Sequence, residues 1–206
     1  MTQLEIEVKF TIQDIECIRQ RIIKLGALAK KRHFEQNYLF DNTSRSLCEL
    51  KSVLRLRKTE DNTTITYKSI PKLENAHLTT QYKIRNEYET NVSNFDHMSL
   101  ILNGLGFHVI QQYEKWRQAF IADGVTFTVD ELPYGCFLEI EGQIHQIEIM
   151  ASKLGLLWEN RILLNYIELF EIIKKHNHLS ITYLTFDQFK GIAINLDSIH
   201  KEIVAG

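Results

Sequence analysis

Leu4-Glu5-Ile6-Glu7-Val8-Lys9-Phe10 alternates strictly between apolar and charged residues. Successive side chains of an extended strand point to opposite faces, so Glu5, Glu7 and Lys9 share one face and the four apolar residues the other. The pattern returns down the chain. Arg55 and Arg57 oppose Leu54 and Leu56, and Thr64, Thr66 and Lys68 oppose Ile65 and Tyr67. Lys83, Arg85, Glu87 and Glu89 oppose Tyr82, Ile84 and Tyr88. Lys115 and Arg117 oppose Trp116 and Phe120, Asp130 opposes Val125, Phe127 and Val129, and Glu139 and Glu141 oppose Leu138 and Ile140.

A single strand of this kind is an ordinary half-buried strand with its polar side in water. Seven of them accumulate something else. With Lys83 set aside, the charged faces carry seven bases (Lys9, Arg55, Arg57, Lys68, Arg85, Lys115, Arg117) and seven acids (Glu5, Glu7, Glu87, Glu89, Asp130, Glu139, Glu141). Closing the sheet into a barrel of about eight strands leaves room inside for a ligand and removes exposed edges. A charged interior and an apolar exterior then require helices outside. Three amphipathic segments fit that need: Asp14–Leu25, Phe95–Leu105 and Ile144–Leu154, each followed by a glycine stop.

The predicted strands are Leu4–Phe10, His33–Phe40, Val53–Lys58, Thr64–Ser69, Tyr82–Thr90, Gln112–Ile121, Val125–Asp130 and Phe137–Glu141, with tight turns at Asp61-Asn62 and Asp123-Gly124. A helix is predicted over Arg161–Lys175, then an extended stretch at Ser180–Phe186 and a last helix near Leu196–Val204. The fold class is α+β: a closed antiparallel barrel covered by helices, with a C-terminal helical extension. Residues 1–175 are assigned to the barrel domain and 176–206 to an extension packed on it.

Composition narrows the setting. Of 206 residues 44% are hydrophobic and 24% charged, with a formal net charge of −2, which does not point to nucleic acid. The apolar runs are too short to span a bilayer, and no secretory signal is seen at the start. Cys17, Cys48 and Cys136 are widely spaced, and the eight histidines form no ligand pattern. A cytoplasmic protein is expected, without nucleic-acid or membrane partners; a homodimer is compatible with the sequence.

Seven inward cations repel one another unless a dense anion sits among them, and arginine's planar fork suits phosphate oxygens. Clustered carboxylates need a cation in turn, and hard divalent ions take oxygen ligands. A polyphosphate with its metal satisfies both halves of the interior.

Glu5-Ile6-Glu7-Val8-Lys9 resembles the ExExK signature of the CYTH superfamily, the triphosphate tunnel metalloenzymes, and its companions follow in order. Leu54-Arg55-Leu56-Arg57 is similar to LRxR, Thr66-Tyr67-Lys68 to TxK, Arg85-Asn86-Glu87-Tyr88-Glu89 to RxExE, and Lys115-Trp116-Arg117 to KxR. Asp130, Gly135 and Leu138-Glu139-Ile140-Glu141-Gly142 resemble the closing element. The resemblance implies an eight-stranded tunnel in which Lys9, Arg55, Arg57, Lys68, Arg85, Lys115 and Arg117 hold triphosphate oxygens. It also implies Glu5, Glu7, Asp130, Glu139 and Glu141 as ligands of Mg²⁺ or Mn²⁺, with Glu87 and Glu89 close by and Lys68, Glu5 and Glu7 nearest the chemistry.

One strand departs from the family pattern. In Phe34-Glu35-Gln36-Asn37-Tyr38-Leu39-Phe40-Asp41, one register places Glu35, Asn37 and Leu39 inward, and the other places Gln36 and Tyr38 there. Parity favours the first, because Phe34 and Phe40 share the face of Tyr38. Three functions stay open: a metal-dependent triphosphatase acting on tripolyphosphate, thiamine triphosphate or a nucleoside triphosphate; a class IV adenylate cyclase; and a binding module without turnover. Such cyclases often carry a His-Phe pair before ExExK, and no such pair precedes Glu5 here.

Overall fold

A computed structural model of the chain describes residues 3–72 and 76–205. Its strands are β1 (Gln3–Ile12), β2 (Leu28–Ala29), β3 (His33–Asp41), β4 (Val53–Lys58), β5 (Thr63–Ser69), β6 (Lys83–Asn91), β7 (His108–Ala122), β8 (Val125–Leu132) and β9 (Gly135–Glu141). Hydrogen bonding runs in the order β2-β7-β3-β4-β5-β6-β1-β9-β8, and β8 returns to β7. The result is a closed eight-stranded antiparallel barrel, because the two residues of β2 only continue β3's side of the long β7. The N-terminal strand is central to closure, paired with β6 on one side and β9 on the other.

Register carries the alternation around the wall. Glu7 lies opposite both Lys83 and Glu141, Lys68 opposite Glu87, Arg55 opposite Leu39, and Arg117 opposite Asp130. The apolar faces turn outward and receive the helices. Val8, Ile84, Phe127, Leu138 and Ile140 are buried with residues of α1 (Ile15–Lys24) and, after a four-residue α2 (Ser46–Glu49), of α4 (Ile144–Lys153). The α3 helix (Phe95–Gly104) covers Phe40 and Leu56. Asp14 and Asn94 cap α1 and α3 by accepting backbone N–H bonds, which satisfies donors the helix leaves unpaired. Gly26 ends α1 at φ +85°, and the β7–β8 hairpin turns through Asp123 and Gly124, both at positive φ.

The C-terminal region departs from the expected pattern. Helix α5 spans Tyr166–His176, five residues later than Arg161. Asn165 sets the start through a capping box with Glu168, while Ile162 is held extended by two backbone bonds with Lys9. The stretch at Ser180–Phe186 makes only an isolated bridge, Leu184 with Tyr113, and the last segment is a short 3-10 turn followed by α6 (His200–Ile203).

Tyr38 lies outward against Phe95, ring centroids 4.9 Å apart, in the core under α3. Glu35 and Asn37 are buried, and Leu39 lines the interior cavity, as the first register requires.

The tail of the chain enters the barrel's own core. Tyr113, Leu132 and Phe137, on the inward side of β7, β8 and β9, pack with Tyr166, Leu169, Phe170 and Ile173 of α5. No helix among the described residues is long and apolar enough to cross a membrane. Phe170 is fully buried and stacks obliquely on Phe189. Phe170→Ala should therefore cost about 3–5 kcal/mol in chemical denaturation. A loss below about 1 kcal/mol would show that α5 is not part of the barrel's cooperative unit.

Candidate functional site

Each β-strand of the wall contributes to one cavity of about 600 Å³. The seven bases singled out from the sequence line it (Lys9, Arg55, Arg57, Lys68, Arg85, Lys115 and Arg117), and so does Lys83. So do Glu5, Glu7, Glu87, Glu89, Glu139 and Glu141. Exposed Arg45, Lys51, Glu168 and Glu171 mark its mouth. A second, smaller opening at the β4–β5 hairpin is lined by Lys31, His33, Thr64 and Asp61, and shares Arg57 and Glu89 with the first.

The interior charges are distributed as pairs. Lys68 donates to both oxygens of Glu5 at 2.6 Å and lies 3.2 Å from Glu87. Lys83 donates to Glu7 at 2.5 Å, and Lys9 sits 3.3 Å from Glu139 while donating to the Leu164 carbonyl. Arg117 reaches Glu139 at 2.5 Å. Arg55 donates to Thr66 at 3.0 Å and approaches Glu89 at 3.5 Å, and Thr66 donates to the same carboxylate. Arg57 donates to Asn37 at 2.8 Å and lies 3.2 Å from Glu35. Arg85 faces the cavity and donates to the Ile84 carbonyl.

Asp130 has a different place from the other expected metal ligands. It is fully buried and off the cavity wall, accepting from Lys115 at 2.9 Å, from Arg117 at 2.7 Å and from the Tyr166 hydroxyl at 2.7 Å. Tyr166 comes from α5, and Lys9 lies 4.1 Å above its ring.

The electrostatics divide the wall in two. Burial alone would raise the Glu139 and Glu35 carboxyls, yet both fall well below the usual range: Lys9, Arg117 and Lys115 surround the first, and Arg57, Lys115 and Arg117 the second. Glu141 behaves in the opposite way. Burial, with repulsion from Glu5 and Glu7, pushes it up to about 7, and no base among the described residues forms an ion pair with it. Burial and the neighbouring Glu7 also raise Glu5, against the pull of Lys68.

Glu5, Glu7 and Glu141 thus gather hard oxygen donors of which Glu141 alone has no ion-pair partner among the described residues, and such a set suits a divalent ion. Among the described residues no three acidic, histidine or cysteine side chains already converge at ion-binding distance, and Lys68 and Lys83 supply the compensating charge.

Residues 3–165 match the CYTH domain. The chain belongs to the CYTH domain family. Members of that family are triphosphatases or class IV adenylate cyclases. Over 145 residues, covering 70% of this chain and 79% of the relative, it is 28% identical to a Methanocaldococcus jannaschii protein described as a "putative adenylate cyclase". The solved structure of a Pyrococcus horikoshii protein is similar at 28% identity and TM-score 0.67, covering 80% of this chain and 98% of that one. A Vibrio parahaemolyticus "putative adenylate cyclase" shares the fold at 19% identity and TM-score 0.71, covering 83% and 99%.

Several polar residues of this CYTH interior stand outside the charge signature. Glu35 and Asn37 follow from strand parity once the β3 register is known. Lys83 lies on the charged face and is the partner of Glu7. Tyr113 shares the parity of Lys115 and Arg117. Tyr166 has no local signal, because only the docking of α5 brings it to Asp130.

The proton that Glu141 holds in the folded, metal-free protein is released by an unfolded chain near 4.5. The fold therefore loses stability as pH rises from about 4.5 to 7. With metal chelated, Glu141→Gln should be more stable than the parent at pH 8 by roughly 3 kcal/mol, and equal to it at pH 4. Equal melting temperatures at both pH values would mean that Glu141 is not under carboxylate repulsion.

Proposed function

We propose that the chain hydrolyses a triphosphate held inside the barrel in a divalent-metal-dependent reaction. The observation that supports it is the cation-lined cavity of about 600 Å³ with Glu5, Glu7 and Glu141 gathered on its wall. The volume suits a small ligand. Arg55 and Arg57 from β4, Lys115 and Arg117 from β7, and Lys9, Lys68 and Arg85 between them would grip successive phosphate oxygens from several sides, as charge-assisted bonds do best. Asp130 and Tyr166 hold Lys115 and Arg117 in position.

Glu5, Glu7, Glu139 and Glu141 would hold Mg²⁺ or Mn²⁺, and in this reading Asp130, expected as a fifth ligand, instead aligns the cations. A bound ion would neutralise phosphate oxygens and raise the electrophilicity of phosphorus. One proton of an attacking water would pass to Glu5 or Glu7 while the other stays on the new phosphate hydroxyl, and Lys68, held by Glu5 and Glu87, would orient the water. As water oxygen bonds to phosphorus the bridging P–O bond breaks, and the arginines stabilise the charge on the leaving phosphate.

The second reading is a class IV adenylate cyclase, favoured by the similarity to the M. jannaschii protein. There the ribose 3′-hydroxyl replaces water and attacks the α-phosphorus. Incubation with ATP, thiamine triphosphate and tripolyphosphate, each with Mg²⁺ and Mn²⁺, separates the readings. Orthophosphate release is the expected product; cyclic AMP with pyrophosphate would establish the cyclase. Full turnover in excess EDTA would remove the metal from the mechanism. Arg57→Ala should weaken binding and slow turnover together, by about 1.5–3 kcal/mol in kcat/KM. Tight triphosphate binding with no turnover by the parent protein would leave only a binding module.

A further inference from the structure

Tyr113 lies on β7 two positions before Lys115, opposite Asn37 of β3 in register. It is 6% exposed and lines the main cavity. Its ring is fixed on the tail side, 6.5 Å from Tyr166 and inside the core built by α5. Its hydroxyl reaches Arg55, which lines the same cavity.

This hydroxyl is surrounded by cations. Arg55 Nη1 donates to the Tyr113 oxygen at 3.4 Å. Burial would push the phenol up, but Arg55, Lys115 and Arg57 bring it down to about 8. Among the described residues the Tyr113 O–H donates to no protein acceptor, and the buried Nε of Arg55 makes no hydrogen bond either. Two donors on one wall are therefore left without acceptors where the cation ring is densest. A buried donor is seldom left unpaired unless something else accepts from it.

We propose that Tyr113 is a triphosphate-binding residue whose O–H donates to an oxygen of the phosphate group held by Arg55 and Lys115. This rests on the triphosphate reading above. A phenol adds a hydrogen bond at this point without adding to the repulsion among Arg55, Arg57 and Lys115. In the free protein its oxygen gives Arg55 an acceptor, and on binding the phosphate takes over that role.

Tyr113→Phe removes the hydroxyl and keeps the ring. Tyr134→Phe is the control: Tyr134 is buried in the same core and donates to the Tyr166 carbonyl, but does not line the cavity. Tripolyphosphate binding is measured by calorimetry in EDTA, with ultraviolet difference spectra of the tyrosine band. Tyr113→Phe should bind about tenfold more weakly or worse, and should lose part of the parent's spectral change. Tyr134→Phe should lower the melting temperature and leave affinity unchanged. Parent-like affinity in Tyr113→Phe overturns the role of Tyr113 and leaves the cavity's function standing. Equal weakening in both variants makes the effect structural and overturns it too. Absence of tripolyphosphate binding by the parent overturns the triphosphate reading and this inference together.

Discussion

Charge compensation inside a closed wall is the constraint on which the rest of this structure depends. Taking a carboxylate or an ammonium out of water is costly unless an opposite charge and hydrogen bonds replace the solvent. Here the replacement is reciprocal. Lys68 answers Glu5, Lys83 answers Glu7, Lys9 and Arg117 answer Glu139, and Lys115 and Arg117 answer Asp130. Most of the pairings join strands distant in sequence and wait on long-range strand pairing, whereas Lys115 and Arg117 meet Asp130 across the β7–β8 hairpin. The compensation is uneven at Glu141, which burial and the neighbouring Glu5 and Glu7 leave without an ion-pair partner among the described residues.

Outside the wall the energetics are ordinary. Aliphatic faces of the strands meet α1, α3 and α4, and those cores hold their weight in buried leucine, isoleucine, valine and phenylalanine. Inside, an aromatic cluster built by α5 and the tail lies against the polar cavity, whose mouth α5 also borders through Glu168 and Glu171. Burial beside this cluster gives the adjoining polar groups their unusual character. It lowers the Lys9 amine and raises the Tyr166 phenol, and it fixes the ring of Tyr113 while leaving its hydroxyl among cations.

Much of the candidate site was legible because it is written in period two. A strand's parity is a local property, so Lys9, Arg55, Lys115 or Glu139 declare their common face to any reader of the alternation. The β3 strand was harder, since Gln36 and Tyr38 offered a second polar set. Tyr38 is resolved by its contact with Phe95, a residue 57 positions away whose helix must first dock. The start of α5 was misjudged by periodicity alone. Ile162 fits a helical apolar stripe, but its backbone is committed to Lys9 of β1.

By itself the sequence determined the alternation, the helix stops, the sign of each inward charge and the family signature, because these follow from residue type and local spacing. Only the tertiary structure decided which charges neutralise each other. Asp130 shows the difference. Its strand parity and motif position group it with Glu139 and Glu141, yet Arg117 across the β7–β8 hairpin, Lys115 beside it and a phenol from α5 claim its oxygens. Partnership in a low-dielectric interior depends on distance over a few ångströms, and those distances are set by closure of the barrel and docking of the tail.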